Sequence, residues 1–298
     1  MFKYVLPVLV LAAAATPASA ATAYLSRSGS GTDCSLVTPC TSMSTALTHA
    51  GLRGEVICLD KGNYGTATFQ FSVTVSCGDG LWESPEFAMF ITPTQGSDVV
   101  IEGLVMDGAS NGTFPIIMNG QGTLHLRRVR IGNYPGTLVN FNPNGPATLH
   151  ISDSVFYGSG GSGVLIKPQS GGFANVHMRN VRFEHNLHGL FVDGTDGTVN
   201  VNMAESAAVD NRQNGIGAFT PNSASVTVSV NTSQITGNLT NGIGALGANA
   251  AVKIGNSQIT GNNNGLATAS SGQILTLGGN HLHSNLSDGT FTGGIATK

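Results

Sequence analysis

Val228-Ser229-Val230-Asn231-Thr232-Ser233-Gln234-Ile235-Thr236-Gly237-Asn238 holds two apolar residues two apart, a polar corner, a third apolar residue and then a Gly-Asn pair. The front of this pattern recurs in eight units between Val99 and Leu282. If the last apolar residue of each unit is column zero, that column reads Met106, Ile131, Phe156, Phe183, Ala208, Ile235, Ile259 and Leu282, at intervals of 23 to 27 residues. Five residues earlier stand Ile101, Leu126, Ile151, Met178, Met203, Val230, Ile254 and Leu277, and seven earlier Val99, Leu124, Leu149, Val176, Val201, Val228, Val252 and Leu275. All of these positions are apolar in a chain that is 40% hydrophobic, so the length variation is confined to loops elsewhere in each unit.

Columns minus seven and minus five share one strand face because side chains alternate with period two, and the polar break before zero marks a bend into a second strand. A third short strand follows a glycine in most units, as at Gly163 to Ile166, Gly189 to Val192, Gly215-Ile216, Gly242-Ile243 and Gly265-Leu266. Three strands per turn, stacked with equivalent residues superposed, describe an all-β parallel β-helix solenoid with one strand per face in each coil. No unit carries an amphipathic helical pattern, and Gly, Asn and Val dominate. Three residues after zero the last five units place Asn186, Asn211, Asn238, Asn262 and Asn285, a predicted internal stack at a left-handed corner. Asn231, Asn238 and Asn285 also head Asn-X-Ser/Thr tripeptides, the competing glycosylation reading.

Residues 1–20 read as a signal peptide: Lys3, an apolar run from Tyr4 to Ala15 and a small-residue cleavage site at Ala18-Ser19-Ala20. No later segment is long and apolar enough to span a membrane, so a secreted or periplasmic location is expected. Residues 21–298 read as one domain, with an N-terminal cap over 21–55, coils over 56–286 and a tail over 287–298, because solenoid units do not fold apart. The best helix candidate runs from Ser42 to Ala50, capped by Ser42 or Ser44, with Met43, Ala46, Leu47 and Ala50 at helical spacing over the first coil. Four cysteines in an exported chain imply two disulfides with three possible connectivities; local pairing, Cys34 with Cys40 and Cys58 with Cys77, is favoured over zinc binding for want of C-x-x-C spacing. The lower cap is expected to be a loop or a partner chain. A net charge of −3 carries no signature of nucleic-acid binding.

Four segments carry a family resemblance: Asp33-Cys34 through Pro39-Cys40; Ser44-Thr45-Ala46-Leu47; Gly54-Glu55-Val56-Ile57-Cys58-Leu59-Asp60 with Gly62-Asn63-Tyr64-Gly65; and coils such as Ser233 to Asn238. In these the chain resembles the secreted bacterial right-handed parallel β-helix repeat proteins of the pectate-lyase-like superfamily. The resemblance implies a right-handed coil and export, and no particular activity. The Asp-Asp, Gly-His-Gly and Arg-Ile-Lys signatures of polygalacturonase-like hydrolases do not occur in the sequence.

Column minus six faces outward and reads Val100, His125, His150, His177, Asn202, Ser229, Lys253 and Thr276, so three histidines are expected to stack, too parallel to converge on a metal. Their mutual repulsion is expected to hold their pKa values below the ordinary histidine value. Arg127 and Arg179 lie at minus four, with Arg128, Arg130 and Arg182 around the corner. Ion pairs with Glu102, Asp153 and Glu184 would make these solvated charges; their clustering instead suits an anionic polymer. The expected ligand-binding set is therefore His125, His150, His177, Arg127, Arg130, Arg179 and Arg182, with a polysaccharide or cell-surface glycan as partner. The expected function is non-catalytic binding of an acidic glycan. The alternative is a polysaccharide lyase or hydrolase on uronate glycans, with Arg182, Glu184, Tyr157 and His177 as candidate catalytic groups. No cofactor or metal is expected, calcium entering only under the lyase alternative.

Overall fold

The computed structural model describes residues 20–78, 89–108 and 114–296, and all but Ala20 of the expected signal peptide lies outside the described residues. Parallel strands stack into a right-handed β-helix with three faces. The first face carries strands such as Gly122–Arg127, Thr198–Ala204, Val226–Asn231 and Ala250–Gly255. The second carries three-residue strands such as Arg130–Gly132, Ala207–Val209 and Gln234–Thr236. The third is a nine-stranded ladder from Ala67–Phe69 to Asn264–Ala269. In two coils the strands Pro146–Tyr157 and Phe173–Glu184 run unbroken from the first face onto the second, which joins those faces into one sheet.

The apolar columns build the interior. Val99, Ile101, Met106, Leu124, Leu126 and Ile131 are fully buried, and the Phe156 and Phe183 rings stack 5.7 Å apart. The last coil departs from the predicted alignment. Val252 pairs with Ile274 and Ile254 with Thr276, while an irregularity before Gly278 absorbs one residue and returns Leu282 to register with Ile259. Ile274, not Leu275, is therefore the buried residue at minus seven, because a bulge adds one residue to a strand without moving its neighbours.

Left-handed backbone makes the corners. Position minus three has φ between 47° and 70° in coil after coil, at Gly103, Arg128, Asp153, Asn180, Glu205, Thr232 and Asn256. Position plus two repeats this at Asn133, Gly158, His185, Asp210, Gly237 and Gly261. The asparagines at plus three are thus not the left-handed residues; they follow them. Their role is hydrogen bonding: the Oδ1 of Asn211, Asn238, Asn262 and Asn285 each accepts the backbone N–H of the asparagine one coil earlier, at 2.9 to 3.1 Å. Ser159 N–H donates to Asn186 at one end of the ladder, and Asp288 accepts from Asn285 at the other. Asn238 is completely buried, and the half-buried Asn285 accepts from Asn262 and donates to the Ile259 carbonyl, which assigns both tripeptides to this ladder.

A second ladder lies at minus two. The buried hydroxyls of Ser206, Ser233 and Ser257 accept the N–H of Val181, Ser206 and Ser233 and donate to the carbonyls of Ala204, Asn231 and Gly255. Both ladders satisfy polar groups that a tight corner would otherwise bury without partners.

The helix α1, Met43–Ala50, buries Met43, Ala46, Leu47 and Ala50. Ser42 occupies the N-cap position without a side-chain cap, and the Met43 N–H donates to the Tyr64 carbonyl. The first face starts inside the stretch assigned to the cap: Thr22–Leu25 pairs with Glu55–Cys58. Asp60 binds the chain here, accepting from the Ser26 hydroxyl at 2.6 Å, the Arg27 N–H at 2.7 Å and the buried Tyr64 hydroxyl at 2.6 Å. Both disulfides have the local pairing, Cys34 to Cys40 and Cys58 to Cys77, the latter joining successive coils with Cα atoms 4.5 Å apart. At the lower end Gly293–Gly294 adds a last short strand to Gln273–Gly278, so the tail is part of the ladder.

Candidate functional site

Outward positions of the first face form a groove of about 720 Å³ along the helix axis, with two full rows over five coils and single residues from the next two. Its two rows are column minus six, with His125, His150, His177, Asn202 and Ser229, and column minus four, with Arg127, Ser152, Arg179, Ala204 and Asn231. Asn256 and Leu277 close its lower end. Parallel in-register pairing superposes equivalent residues at one strand spacing, which turns a sequence column into a continuous wall.

The histidines stack as expected. His125 and His150 have ring centroids 4.7 Å apart at 7°, and His150 and His177 are 5.0 Å apart at 14°. The pKa values of His125 and His150 lie below the ordinary value, in the expected direction. The largest cause in both is burial, with the neighbouring rings second for His150 and Arg127 second for His125.

The arginines separate into distinct environments. Arg179 makes a bidentate ion pair with Glu205, both bonds at 3.0 Å, a carboxylate outside the expected set of Glu102, Asp153 and Glu184; Asp153 accepts the Asn180 amide at 2.8 Å. Register explains the pairing, since Arg179 lies beside Ala204 in the next coil and Glu205 follows directly, turned outward by its left-handed backbone. Arg128 holds Glu102 and Arg182 holds Glu184. Arg127 has no ion pair among the described residues.

Around the corner, on the second face, Arg130 lies 4.4 Å from the Tyr157 ring centroid. The Tyr157 ring crosses above Gly132, where a Cβ would meet ring atoms at 2.4 to 2.5 Å, and its hydroxyl donates to Asp107 at 3.2 Å. Asp107 also accepts two 3.0 Å bonds from the Asn133 amide. Burial first, and the Asp107 charge second, raise the Tyr157 pKa.

The seven expected binding residues thus fall into a groove set, His125, His150, His177, Arg127 and Arg179, and a second-face pair, Arg130 and Arg182. Of the four candidate catalytic groups, Arg182, Glu184 and Tyr157 are on the second face, and the left-handed corner at Asn180 separates them from His177. Among the described residues no three His, Cys, Asp or Glu side chains are grouped to hold a metal ion, and the groove lining offers no carboxylate to a hard cation such as calcium. Sequence reasoning placed Asn202 and Ser229 in the outward column without assigning them to the site; continuity of that column was the available signal. Asn256 reaches the groove from the periodic corner column, whose other members do not line it, and Leu277 through the last-coil irregularity, which leaves no periodic trace.

Comparison with known proteins gives fold and little sequence likeness. No family model matches the chain. No curated protein matches it either. A crystal structure of pectate lyase Pel9A is similar over 93% of this chain and 78% of its own, at 16% identity and a TM-score of 0.70. The A-module of the Azotobacter vinelandii mannuronan C-5 epimerase AlgE6 is similar over 85% of this chain and 93% of its own, at 15% identity and a TM-score of 0.48. The chain has the pectate-lyase-like parallel β-helix fold.

Proposed function

We propose that this protein is an extracytoplasmic β-helix that binds an acidic glycan along the first-face groove. The observation that carries this reading is the groove itself: an open trough along the helix axis, lined by stacked imidazoles, amides, two hydroxyls and one guanidinium without an ion pair among the described residues. The stacked rings present their edges and ring nitrogens to the groove, and Asn202, Ser229, Asn231 and Arg127 offer further hydrogen bonds to hydroxyls and a carboxylate. Two disulfides support a location outside the cytoplasm. The fold shared with a pectate lyase supports a polysaccharide as the ligand class.

The same likeness favours a second reading, a lyase on uronate polymers. Such an enzyme needs a cation at the sugar carboxylate and a base for the adjacent proton. Within the groove Arg127 is suited to the first role and His150 or His177 to the second.

Electrophoresis through gels containing acidic polysaccharides, both uronate homopolymers such as pectate and alginate and heteropolymers with one uronate per repeat, tests both readings. Retardation is expected for the wild-type chain and for Arg182→Glu on the second face, and loss of retardation for Ser152→Trp, which fills the groove. Equal retardation of Ser152→Trp and wild type sinks the groove assignment. Release of unsaturated sugars during the run, abolished by the same tryptophan, makes the lyase reading the better one.

A further inference from the structure

The charge along the groove is sparse. Arg127 stands at the upper end with no ion pair among the described residues, the neighbouring Glu102 being engaged by Arg128. Arg179 is matched by Glu205 through two hydrogen bonds. His125 and His150 have lowered pKa values, so they are neutral near pH 7. Asn202, Ser229 and Asn231 carry no charge. The next outward cation in column minus six is Lys253, one coil beyond Ser229 and likewise without an ion pair among the described residues. Five strand spacings separate the coils of Arg127 and Lys253, about 24 Å, and the five coils that supply both rows of the groove span about 19 Å.

A pyranose in an extended chain is about as long as one strand spacing, so the groove holds about four sugar residues. A homopolymer of uronates would place a carboxylate at every one of them, against a single cation without an ion pair and with Glu205, Glu102 and Asp98 nearby. A carboxylate removed from water without a partner is costly, and like charges at strand spacing repel. Amides, hydroxyls and imidazole edges hydrogen-bond without charge and suit neutral sugars.

We infer that the groove selects an acidic heteropolysaccharide in which one carboxylated sugar, received by Arg127, is followed by several neutral sugars lying over His150 to Asn231. This rests on the groove reading above and narrows its ligand.

Isothermal titration with three linear tetrasaccharides tests it: one containing a single glucuronate with two glucoses and a rhamnose, tetragalacturonate, and cellotetraose. The single-acid probe is expected to bind at least about tenfold more tightly than either of the others, with an affinity that falls only weakly with salt. Arg127→Gln, whose thermal midpoint is expected to match wild type, should bring the single-acid probe down to the level of cellotetraose. Tetragalacturonate binding as tightly or more tightly, with a steep salt dependence, overturns the sparse-charge inference and leaves the groove reading standing. An unchanged preference in Arg127→Gln overturns the assignment of the carboxylate. Failure of all three probes to bind at millimolar concentration overturns the inference and the groove reading together.

Discussion

Replacing Asn238 by alanine removes the centre of the asparagine ladder, and its hydrogen bonds set the size of the effect. The Asn238 Oδ1 accepts the Asn211 N–H at 3.1 Å and the Asn211 amide at 2.9 Å, and its own amide donates to Ala208 O at 3.0 Å and Asn262 Oδ1 at 2.8 Å. The side chain is fully buried, so water does not replace it. The Asn211 N–H loses its acceptor, which costs about 1–3 kcal/mol, and the other lost bonds contribute about 1 kcal/mol each before relaxation. A loss of about 4 kcal/mol is expected for Asn238→Ala. Asn285→Ala removes equivalent bonds to Asn262 at the half-exposed end of the ladder, where water can take over, and should cost about 1 kcal/mol. Urea unfolding followed by circular dichroism measures both. Equal losses in the two variants, or less than about 1 kcal/mol for Asn238→Ala, would refute the ladder as a source of stability.

Two further outcomes are expected. Replacing Cys58 and Cys77 together by alanine opens a link with a sequence separation of 19 between successive coils, and unfolding should become easier by about 3 kcal/mol on the loop-entropy scale; no shift of the urea midpoint would contradict this. The lowered pKa values of His125 and His150 mean that the unfolded chain binds more protons than the folded one below its own pKa of about 6.5. Stability from these residues is present above that pH and is lost as pH falls through it toward the folded values. The double variant His125→Asn with His150→Asn should flatten stability against pH between about 7 and 5, and an unchanged slope in urea midpoints would show that the histidines do not cause it.

Much of the fold was legible because in a solenoid the sequence period and the structural period coincide: a residue such as Ile235 meets Ala208 and Ile259 at the same register. Legibility fails where that coincidence fails. The irregularity at Gly278 shifts one unit by a residue without disturbing Leu282, and an apolar Leu275 made the wrong alignment look sound. Arg179 and Arg182 are three residues apart in sequence, yet a left-handed residue between them puts them on different faces. Which carboxylate each arginine takes depends on the turn of the corner, so Glu205 was missed, and Asp153, expected among the partners, accepts the Asn180 amide. The first strand, Thr22–Leu25, belongs to a coil whose return runs through the helix and a disulfide loop, and it therefore lacks the repeat spacing.

The serine ladder connects the scaffold to the site. Ser154, Ser206 and Ser233 face inward at minus two, and their hydroxyls donate to the carbonyls of Ser152, Ala204 and Asn231, with distances of 2.6 to 2.7 Å. Those three residues line column minus four of the groove. Each buried hydroxyl therefore fixes the peptide from which a groove side chain projects, just before the left-handed residue that turns the chain away. The outward side chain itself makes no contribution to the interior, so Ser152, Ala204 and Asn231 differ in chemistry while the backbone beneath them stays the same. In these three coils unlike outward side chains stand on alike inward serines, while beneath Arg127 and Arg179 the inward residue is the buried Val129 or Val181, so the outward chemistry of the groove changes from coil to coil without a change in the backbone course that carries it.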